Sequence, residues 1–470
     1  MNFNELLGLI MLTVLIGVIF IGFPIAFTLL FLALVFGYVG LGARVFDLAY
    51  LQTLGLMKEE VLAAVPLFIF MGYIAEKAGL MERLFHAFRD LLAPVRGALY
   101  LVVILTAMVF GMATGIVGAA VTVLGIMAAP MMIKAGYDPK MSAGAITAGG
   151  TLGILVPPSV MLVVMGPVMG VSVTRLYAAT LIPGFVLASM YILYCLGRSF
   201  VNPKLGPPVP LEERAPSARV VLKEALFGMV PLGALITATL GSILGGIATP
   251  TEASGLGATG AILLALAYRK LTLAAFHKAL IATLTTSAMV LFLAAASNVF
   301  GAVFARLGTA AWITNAMIAL PLPPFATLTL IVFLIFLLGW PFEWPAIILV
   351  FLPIFYPVVA ALNFDLVWFG AIVAVTMQTA FLSPPVAMSA YYLKQVVPQW
   401  SLGTIYRGMA NFMVIQVVAI GLVMVFPQLS LWLPNKLFET GITAPAETGV
   451  PASSPLDNAT DDLEKGDRME

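Results

Sequence analysis

The stretch GILVPPSVML, residues 153–162, places the adjacent Pro157 and Pro158 inside a run of apolar residues. A second proline pair lies in the stretch AFLSPPVAM, residues 380–388, in the other half of the chain. Proline lacks the N–H that a helix needs, and its ring clashes with the carbonyl four residues back, so each pair predicts a broken helix. In hydrocarbon, a freed carbonyl is tolerated only where protein or a water-filled cavity surrounds it. Matching breaks in two halves of a chain indicate the binding site of a secondary transporter.

The composition indicates a membrane protein. The 470 residues are 61% hydrophobic and only 10% charged, with a mean hydropathy of +1.08. A soluble globular domain carries roughly 25% charged residues. The length allows about a dozen spans of ~20 residues each. We therefore predict an all-α, polytopic membrane protein that retains its first apolar segment as a span.

Several function classes are excluded by what the sequence lacks. The net charge is +1, which gives no nucleic-acid footprint. Cys195 is the single cysteine, and His86 and His277 lie far apart, so neither a disulfide nor a cysteine or histidine metal site is expected. No GxxxxGK[ST] phosphate loop occurs, so the chain does not hydrolyse ATP by itself. We predict no enzyme activity and no cofactor.

The apolar stretches divide the chain into a membrane domain and a tail. The domain covers residues 1–436, with repeat one at about 1–200 and repeat two at about 222–436. The tail, 437–470, is rich in Gly, Pro, Ser, Thr and acids, which predicts disorder. The charged but amphipathic segment 76–96 is either a helix lying in the membrane interface or an ordinary loop helix. The basic residues leave the orientation in the membrane open.

The carbonyl groups that the prolines free are candidate ligands for Na⁺. Pro157 and Pro158 free the carbonyls of Gly153 and Ile154. In the second half, Pro384 and Pro385 free those of Ala380 and Phe381. Unwound carbonyls suit Na⁺, a hard cation that prefers oxygen ligands. The alternative is that both breaks are structural kinks without ligands.

Two hydroxyl groups beside the breaks are candidate ligands for a substrate. These are the side chains of Ser159 and Ser383. Ser383 is suited to be an N-cap with Pro384 at the first helical position. The half-helix that begins there would direct its positive dipole end at the break, which suits a carboxylate.

A further motif combines a helix start with an acidic side chain. In TPTEA, Thr249 as N-cap and Glu252 three residues later form a capping box, with Pro250 at the first helical position. That structural role explains most of the motif. A glutamate within a membrane domain is nevertheless a functional candidate, so Thr249 and Glu252 are kept as candidate ion ligands.

Three segments predict further breaks or polar contacts. The apolar stretch 97–133 is much longer than one span, and its glycines permit an unwound middle at Thr114 and Gly115, with tight helix packing as the alternative. The turn at 338–345, which contains Glu343, is either an ordinary loop or the tip of a re-entrant hairpin, for which the segment around Pro66 is the parallel piece. Asn298 lies on an apolar helix, where interhelical hydrogen bonding is the commoner role.

Five motifs follow one another along the chain. They are PLFIFMG at 66–72, KAGYDP at 134–139, GILVPPS at 153–159, TPTEA at 249–253 and SPPV at 383–386. Taken together, they resemble the large permease (DctM-type) subunit of the TRAP (tripartite ATP-independent periplasmic) transporters, and the resemblance runs to about residue 433. It implies a Na⁺-driven, elevator-type importer of the bacterial inner membrane, with inverted repeats and two re-entrant hairpins. It also implies a small four-helix membrane subunit and a periplasmic binding protein as partners.

The chain departs from the family's pattern at two places. Many members have a serine-rich SGS stretch where this chain has MATG at 112–115, and many carry aspartate where it has Glu343. Family substrates are mostly organic acids, so we predict Na⁺-coupled import of a small organic acid; the alternatives are a stand-alone anion symporter or a non-transporting scaffold subunit. The candidate substrate ligands are Thr114, Gly115, Ser159, Asn298 and Ser383. The candidate ion ligands are Pro66, Gly153, Ile154, Thr249, Glu252, Glu343, Ala380 and Phe381.

Overall fold

The computed structural model describes residues 1–209, 214, 217–384 and 387–438. Across these ranges the regular secondary structure is helical and contains no strand. Seven of the helices are long and apolar enough to cross a membrane, or up to nine if two bent helix pairs each count as one span. The prediction of an all-α, polytopic membrane protein is confirmed.

The first half contains ten α-helices and one 3₁₀ turn. Asp138 begins the helix that leads to the first proline pair, because its carboxylate accepts a hydrogen bond of 2.7 Å from the backbone N–H of Met141. The elements are α1 Phe3–Ile21, α2 Ile25–Leu41, α3 Arg44–Met57, a 3₁₀ turn Glu60–Ala63, α4 Ala64–Lys77, α5 Leu80–Leu92, α6 Ala98–Thr114, α7 Val117–Lys134, α8 Pro139–Leu155, α9 Val160–Met169 and α10 Val173–Val201.

The second half repeats this carboxylate cap on the helix that leads to the second proline pair. Asp365 accepts a hydrogen bond of 2.9 Å from the backbone N–H of Trp368. π-helical turns at Thr237–Gly241 and Ile347–Phe351 join α11 to α12 and α17 to α18. The helices are α11 Ala218–Ile236, α12 Ser242–Leu244, α13 Pro250–Ala267, α14 Leu273–Arg306, α15 Thr309–Ile318, α16 Pro324–Leu338, α17 Trp344–Ala346, α18 Leu352–Ala361, α19 Leu366–Ala380, α20 Met388–Val396, α21 Leu402–Val425 and α22 Gln428–Phe438.

Both halves present the same order of elements around their proline pairs. A helical hairpin comes first (α6–α7, then α16–α18), a broken helix follows (α8–α9, then α19–α20), and a long helix ends the series (α10, then α21). Two structural repeats would give each half this same order of elements. Their inverted orientation in the membrane stays a prediction.

The helices pack in two groups. One group joins the first hairpin, both broken helices and α10, α21 and α22. The other joins α1–α3 to α14, and α4 to α13 and α14, and it meets the first group where α4 contacts α6 and α9. Helix α5 meets α4 at 61° and packs between α6 and α11, burying Leu84, Phe85 and Phe88. The charged segment 76–96 therefore contains a helix of its own, as its amphipathic pattern predicts.

Pro66 lies in the first leg of a bent helix pair and is not itself a hairpin tip, while the predicted re-entrance of that leg stays a prediction. Pro66 is the third residue of α4, and the chain passes into this helix from the 3₁₀ turn without reversing. Proline fits there because the first N–H groups of a helix have no partner within it. At the C-terminus, α22 continues to Phe438, two residues into the predicted tail, and the rest of that tail lies outside the described residues.

Candidate transport site

The first proline pair breaks its helix as predicted. Helix α8 ends at Leu155, α9 begins at Val160, and the two are bent by 47°. The buried Ser159 Oγ donates a hydrogen bond of 2.6 Å to the carbonyl oxygen of Ile154, across the break. From α10, the hydroxyl of Tyr177 donates to the carbonyl oxygen of Ser159 at 3.3 Å. Side-chain hydroxyls therefore supply hydrogen bonds to some of the backbone carbonyl groups at this fully buried break.

The second break is bridged in the same way. Helix α19 ends at Ala380 and α20 begins at Met388. Ser389, the second residue of α20, donates from Oγ to the carbonyl oxygen of Phe381 at 2.5 Å. From α21, Gln416 Nε2 lies 3.4 Å from the carbonyl oxygen of Gln378. At both breaks a serine thus bridges the gap, and the long helix that follows supplies a second donor.

The predicted role of Ser383 as an N-cap is wrong. The next helix starts five residues later, since the backbone N–H groups of Leu382 and Ser383 both donate to the Thr379 carbonyl and keep the chain coiled. Pro384 lies in the following turn, while Pro385 lies outside the described residues. The Ser383 side chain is 1% exposed, and its Oγ has no hydrogen-bond partner in the part of the chain that the structure describes. That hydroxyl is available to a ligand.

The unwound middle predicted in the stretch 97–133 is a hairpin tip. Helix α6 ends at Thr114 and α7 begins at Val117, with only Gly115 and Ile116 between them. Gly115 has φ +61°, a left-handed conformation that favours glycine, and its N–H donates to the Gly111 carbonyl at 2.8 Å. The buried hydroxyl of Thr114 donates to the Phe110 carbonyl at 3.2 Å, within its own helix.

The first hairpin is seated on the end of the broken helix α8. A methyl group added at Gly111 would lie 2.4 Å from Cα of Gly153, and one added at Gly153 would lie 2.7 Å from Cα of Gly111. The two backbones are therefore in direct contact, which only a pair of glycines permits. Because Gly111 lies three residues before the end of α6 at Thr114, this contact brings the hairpin tip close to the end of α8.

The second hairpin is seated on α19 in an equivalent place. Its turn lies between α16 and α17, where a methyl group added at Gly339 would lie 3.1 Å from Cβ of Ala380. Glu343 immediately precedes α17 in extended backbone and has an exposed side chain. The hairpin tip predicted at 338–345 is confirmed as a turn between two helices. Each hairpin thus touches the end of the broken helix in its own half.

The two halves meet at their broken helices. Helix α20 packs on α7 and α8, and α9 packs on α18 and α19. Across this contact, a methyl group added at Gly118 would lie 3.1 Å from the ring of Tyr392. The broken helices therefore cross, and the buried residues Gly153, Ile154, Ser159, Ala380, Phe381 and Ser383 lie on helices or breaks that contact one another. Thr114 and Gly115 lie at the tip of the hairpin seated on α8, whereas Glu343 at the second tip is exposed.

Three further predicted ligands lie in the other group of helices. Asn298 Nδ2 donates to the carbonyl oxygen of Gln52 in α3 at 2.9 Å, which is an interhelical hydrogen bond. Thr249 and Glu252 form the predicted capping box at the start of α13, with Glu252 Oε2 2.8 Å from the backbone nitrogen of Thr249 and 3.0 Å from its Oγ1. Hydrogen bonds from that N–H and hydroxyl lower the pKa of the exposed Glu252 carboxyl.

Sequence reasoning missed three residues of the site, namely Tyr177, Ser389 and Gln416. All three are fully buried, Tyr177 and Gln416 on apolar helices and Ser389 on the more polar α20. Gln416 carried a detectable signal, because an amide in the middle of the apolar helix α21 needs a partner. Ser389 carried none, since its carbonyl partner lies eight residues earlier across the break.

Comparison with known proteins identifies the family. Residues 12–429 match the family described as "Tripartite ATP-independent periplasmic transporter, DctM component". The sialic acid TRAP transporter large permease protein SiaM of Vibrio cholerae is 31% identical over 427 residues, which cover 89% of this chain and 96% of that protein. The C4-dicarboxylate TRAP transporter large permease protein DctM of Pseudomonas aeruginosa is 31% identical over 387 residues, covering 81% and 87%.

Among solved structures, the chain shares its fold with the YdaH transporter of Alcanivorax borkumensis. The TM-score is 0.61 at 17% sequence identity, and the match covers 92% of this chain and 100% of that one. Family and fold agree with a membrane permease rather than an enzyme. The chain belongs to the DctM family, the large permease components of tripartite ATP-independent periplasmic transporters, which are multi-pass proteins of the bacterial inner membrane.

Proposed function

We propose that this chain imports a small organic acid across the inner membrane, driven by Na⁺ entry, as the large membrane subunit of a binding-protein-dependent transporter. The observation that carries the proposal is the crossing of two broken helices, each with a hairpin seated on its end. Backbone that is irregular in the middle of a membrane protein is tolerated where it lines a cavity or binds a solute. A non-transporting scaffold would need neither break.

The ion is held by neutral oxygens at the ends of α8 and α19 in this proposal. The carbonyl groups of Gly153 and Ala380 lack the usual helical N–H partner, since a proline stands four residues later in each case. Those of Ile154 and Phe381 each accept one serine hydrogen bond and keep a second lone pair. Both helices direct their negative dipole ends at the breaks, which favours a cation.

The substrate carboxylate is held by the Ser383 hydroxyl, by the first hairpin tip and by the starts of the second half-helices. Ser383 offers a buried hydroxyl that no described residue engages. Thr114 and Gly115 stand at the first hairpin tip, and the start of α9 is adjacent, because Cβ at Gly115 would lie 3.7 Å from the backbone nitrogen of Val160. The two named relatives transport sialic acid and C4-dicarboxylates, which are both carboxylates. Pro66, Thr249, Glu252 and Asn298 have no part in the proposed site.

Membership of the family supports two partners. One is a small membrane subunit, and the other is a periplasmic protein that binds the substrate and delivers it to the permease. A stand-alone anion symporter is the competing function, since a related fold does not by itself require a binding protein. The requirement for the binding protein separates the two functions.

Uptake into proteoliposomes tests the proposal. Vesicles contain this chain with its small membrane subunit, the binding protein is added outside, and labelled organic acids are offered with and without an inward Na⁺ gradient. We expect accumulation of one acid only when both the gradient and the binding protein are present. Uptake without the binding protein would establish the stand-alone symporter instead. Gradient-independent uptake would exclude Na⁺ coupling.

A further inference from the structure

Two serine hydroxyls bridge the two helix breaks in matching ways. Ser159 stands immediately before α9 and Ser389 is the second residue of α20, so each lies at the start of a second half-helix. Their hydroxyls donate to Ile154 and Phe381, which lie at the ends of α8 and α19, at 2.6 and 2.5 Å. Both serines are 0% exposed. The spacing differs, at five and eight residues, but the bridge is the same.

We infer that Ser159 and Ser389 are positioning residues that hold the two breaks at a fixed opening. The inference rests on the proposed function, in which carbonyl oxygens at these breaks bind the coupling ion. A buried hydrogen bond to one lone pair of a carbonyl fixes the direction of the other lone pair. Without the hydroxyl, the peptide groups at the break lose that restraint. Ion binding must then order them, and the entropy cost of this ordering lowers the affinity for Na⁺.

This role differs from that of a substrate ligand, which the sequence predicted for Ser159. A serine hydroxyl has one hydrogen, and Ile154 accepts it, so Ser159 has none to donate to a carboxylate. A substrate ligand would also need no counterpart in the other half. The matched bridge at Ser389 indicates a task that both breaks share, namely keeping their carbonyl groups in place.

Alanine variants test the inference in the proteoliposomes described above. Ser159→Ala and Ser389→Ala each remove one bridge. Ser254→Ala is the matched control, because Ser254 is equally buried and its Oγ donates to the Thr251 carbonyl at 2.6 Å, but it lies in α13 away from the breaks. Uptake is measured over a range of Na⁺ concentrations and with the whole panel of acids. Each substitution removes one hydroxyl group and leaves Cβ in place.

We expect both bridge variants to need about five- to tenfold more Na⁺ for half-maximal uptake, which is the worth of one hydrogen bond. The order of preference among the acids should not change, and Ser254→Ala should shift the Na⁺ requirement by less than about twofold. The inference is overturned if both bridge variants behave like the control. It is also overturned for Ser159 if Ser159→Ala changes the preference among acids at an unchanged Na⁺ requirement.

Amide hydrogen exchange tests the role of the two serines independently of the proposed transport function. If the wild-type protein shows no Na⁺-dependent uptake, the proposed ion coupling fails, and exchange then decides whether the serines hold the breaks. Loss of a bridge should accelerate exchange at the amides flanking that break about tenfold and leave the other break unchanged. Equal exchange in all variants would contradict a positioning role.

Discussion

At the scale of single residues, the contact between Gly111 and Gly153 is a tight steric constraint, because neither position has room for a side chain. Alanine at either position would place a methyl group 2.4 or 2.7 Å from the opposing Cα, so one helix must move. Overpacking of this kind costs about 1–3 kcal/mol. We expect Gly111→Ala and Gly153→Ala to lower the apparent melting temperature in detergent and to reduce uptake strongly.

Gly197→Ala is the control for this prediction, because an added methyl group there meets no atom within 4 Å. The predicted contact would be refuted if all three variants melted alike and transported alike. Gly339→Ala should be intermediate, since its nearest contact is a looser 3.1 Å to the side chain of Ala380.

Residue types beside the proline pairs were predictable, but their partners were not. Pro157 fixes which carbonyl is freed, because the carbonyl without a helical partner is the one four residues earlier, that of Gly153. Which group then donates a hydrogen bond to that carbonyl depends on the path of the chain after the prolines. No short-range sequence pattern predicts this path. Ser159 and Ser383 therefore received similar roles from sequence, although Ser159 bridges its break and Ser383 stays without a described partner.

At the scale of elements, the bend between α8 and α9 is the feature that transport should require. Replacing Pro157 and Pro158 together with alanine restores the missing N–H groups and removes the clash, so the 47° bend should relax toward a continuous helix. We expect the double variant to assemble but to lose uptake by more than about tenfold. The carbonyl groups of Gly153 and Ile154 would then accept helical hydrogen bonds and would no longer be free to bind an ion.

Pro183→Ala provides the control for the proline prediction. Pro183 is buried inside α10, which continues through it as one helix. Its replacement should leave uptake within about twofold of wild type, because no break depends on it. Normal uptake by the Pro157 and Pro158 double variant would reduce the first break to a kink without a ligand.

Proline itself does not predict an element boundary unless its position in the helix is known. Pro157 and Pro66 both interrupt apolar runs, yet only the former breaks a helix, because the latter falls within the first turn of α4. The hairpin at 114–117 was predictable from length, since 97–133 exceeds one span. The other tip predicted in the first half, at Pro66, falls inside α4 instead, because small residues and prolines mark both turns and helix starts.

At the scale of the whole molecule, both breaks lie in one group of helices, and the other group (α1–α4, α13 and α14, here called the frame) contains neither. Both broken helices and the hairpin of the second half could be predicted from the sequence, whereas the hairpin of the first half was predicted at Pro66 and lies at 114–117 instead. That α20 packs on α7, so that the halves cross, could not be read, because apolar faces of membrane helices carry little information about their neighbours. Asn298 was predicted at the site for this reason, although its partner lies in α3.

This division predicts that a helix cap in the frame affects stability and not ion coupling. Thr249→Ala removes the cap of α13 and its hydrogen bonds with Glu252, so we expect the apparent melting temperature to fall by about 1–2 °C. The Na⁺ concentration for half-maximal uptake should stay at the wild-type value, as the cap belongs to the group of helices without the breaks. Glu252→Gln should behave likewise. A raised Na⁺ requirement in both variants would instead support the ion site that the sequence predicted at Thr249 and Glu252. The start of α13 would then belong to the transport site and not to the frame.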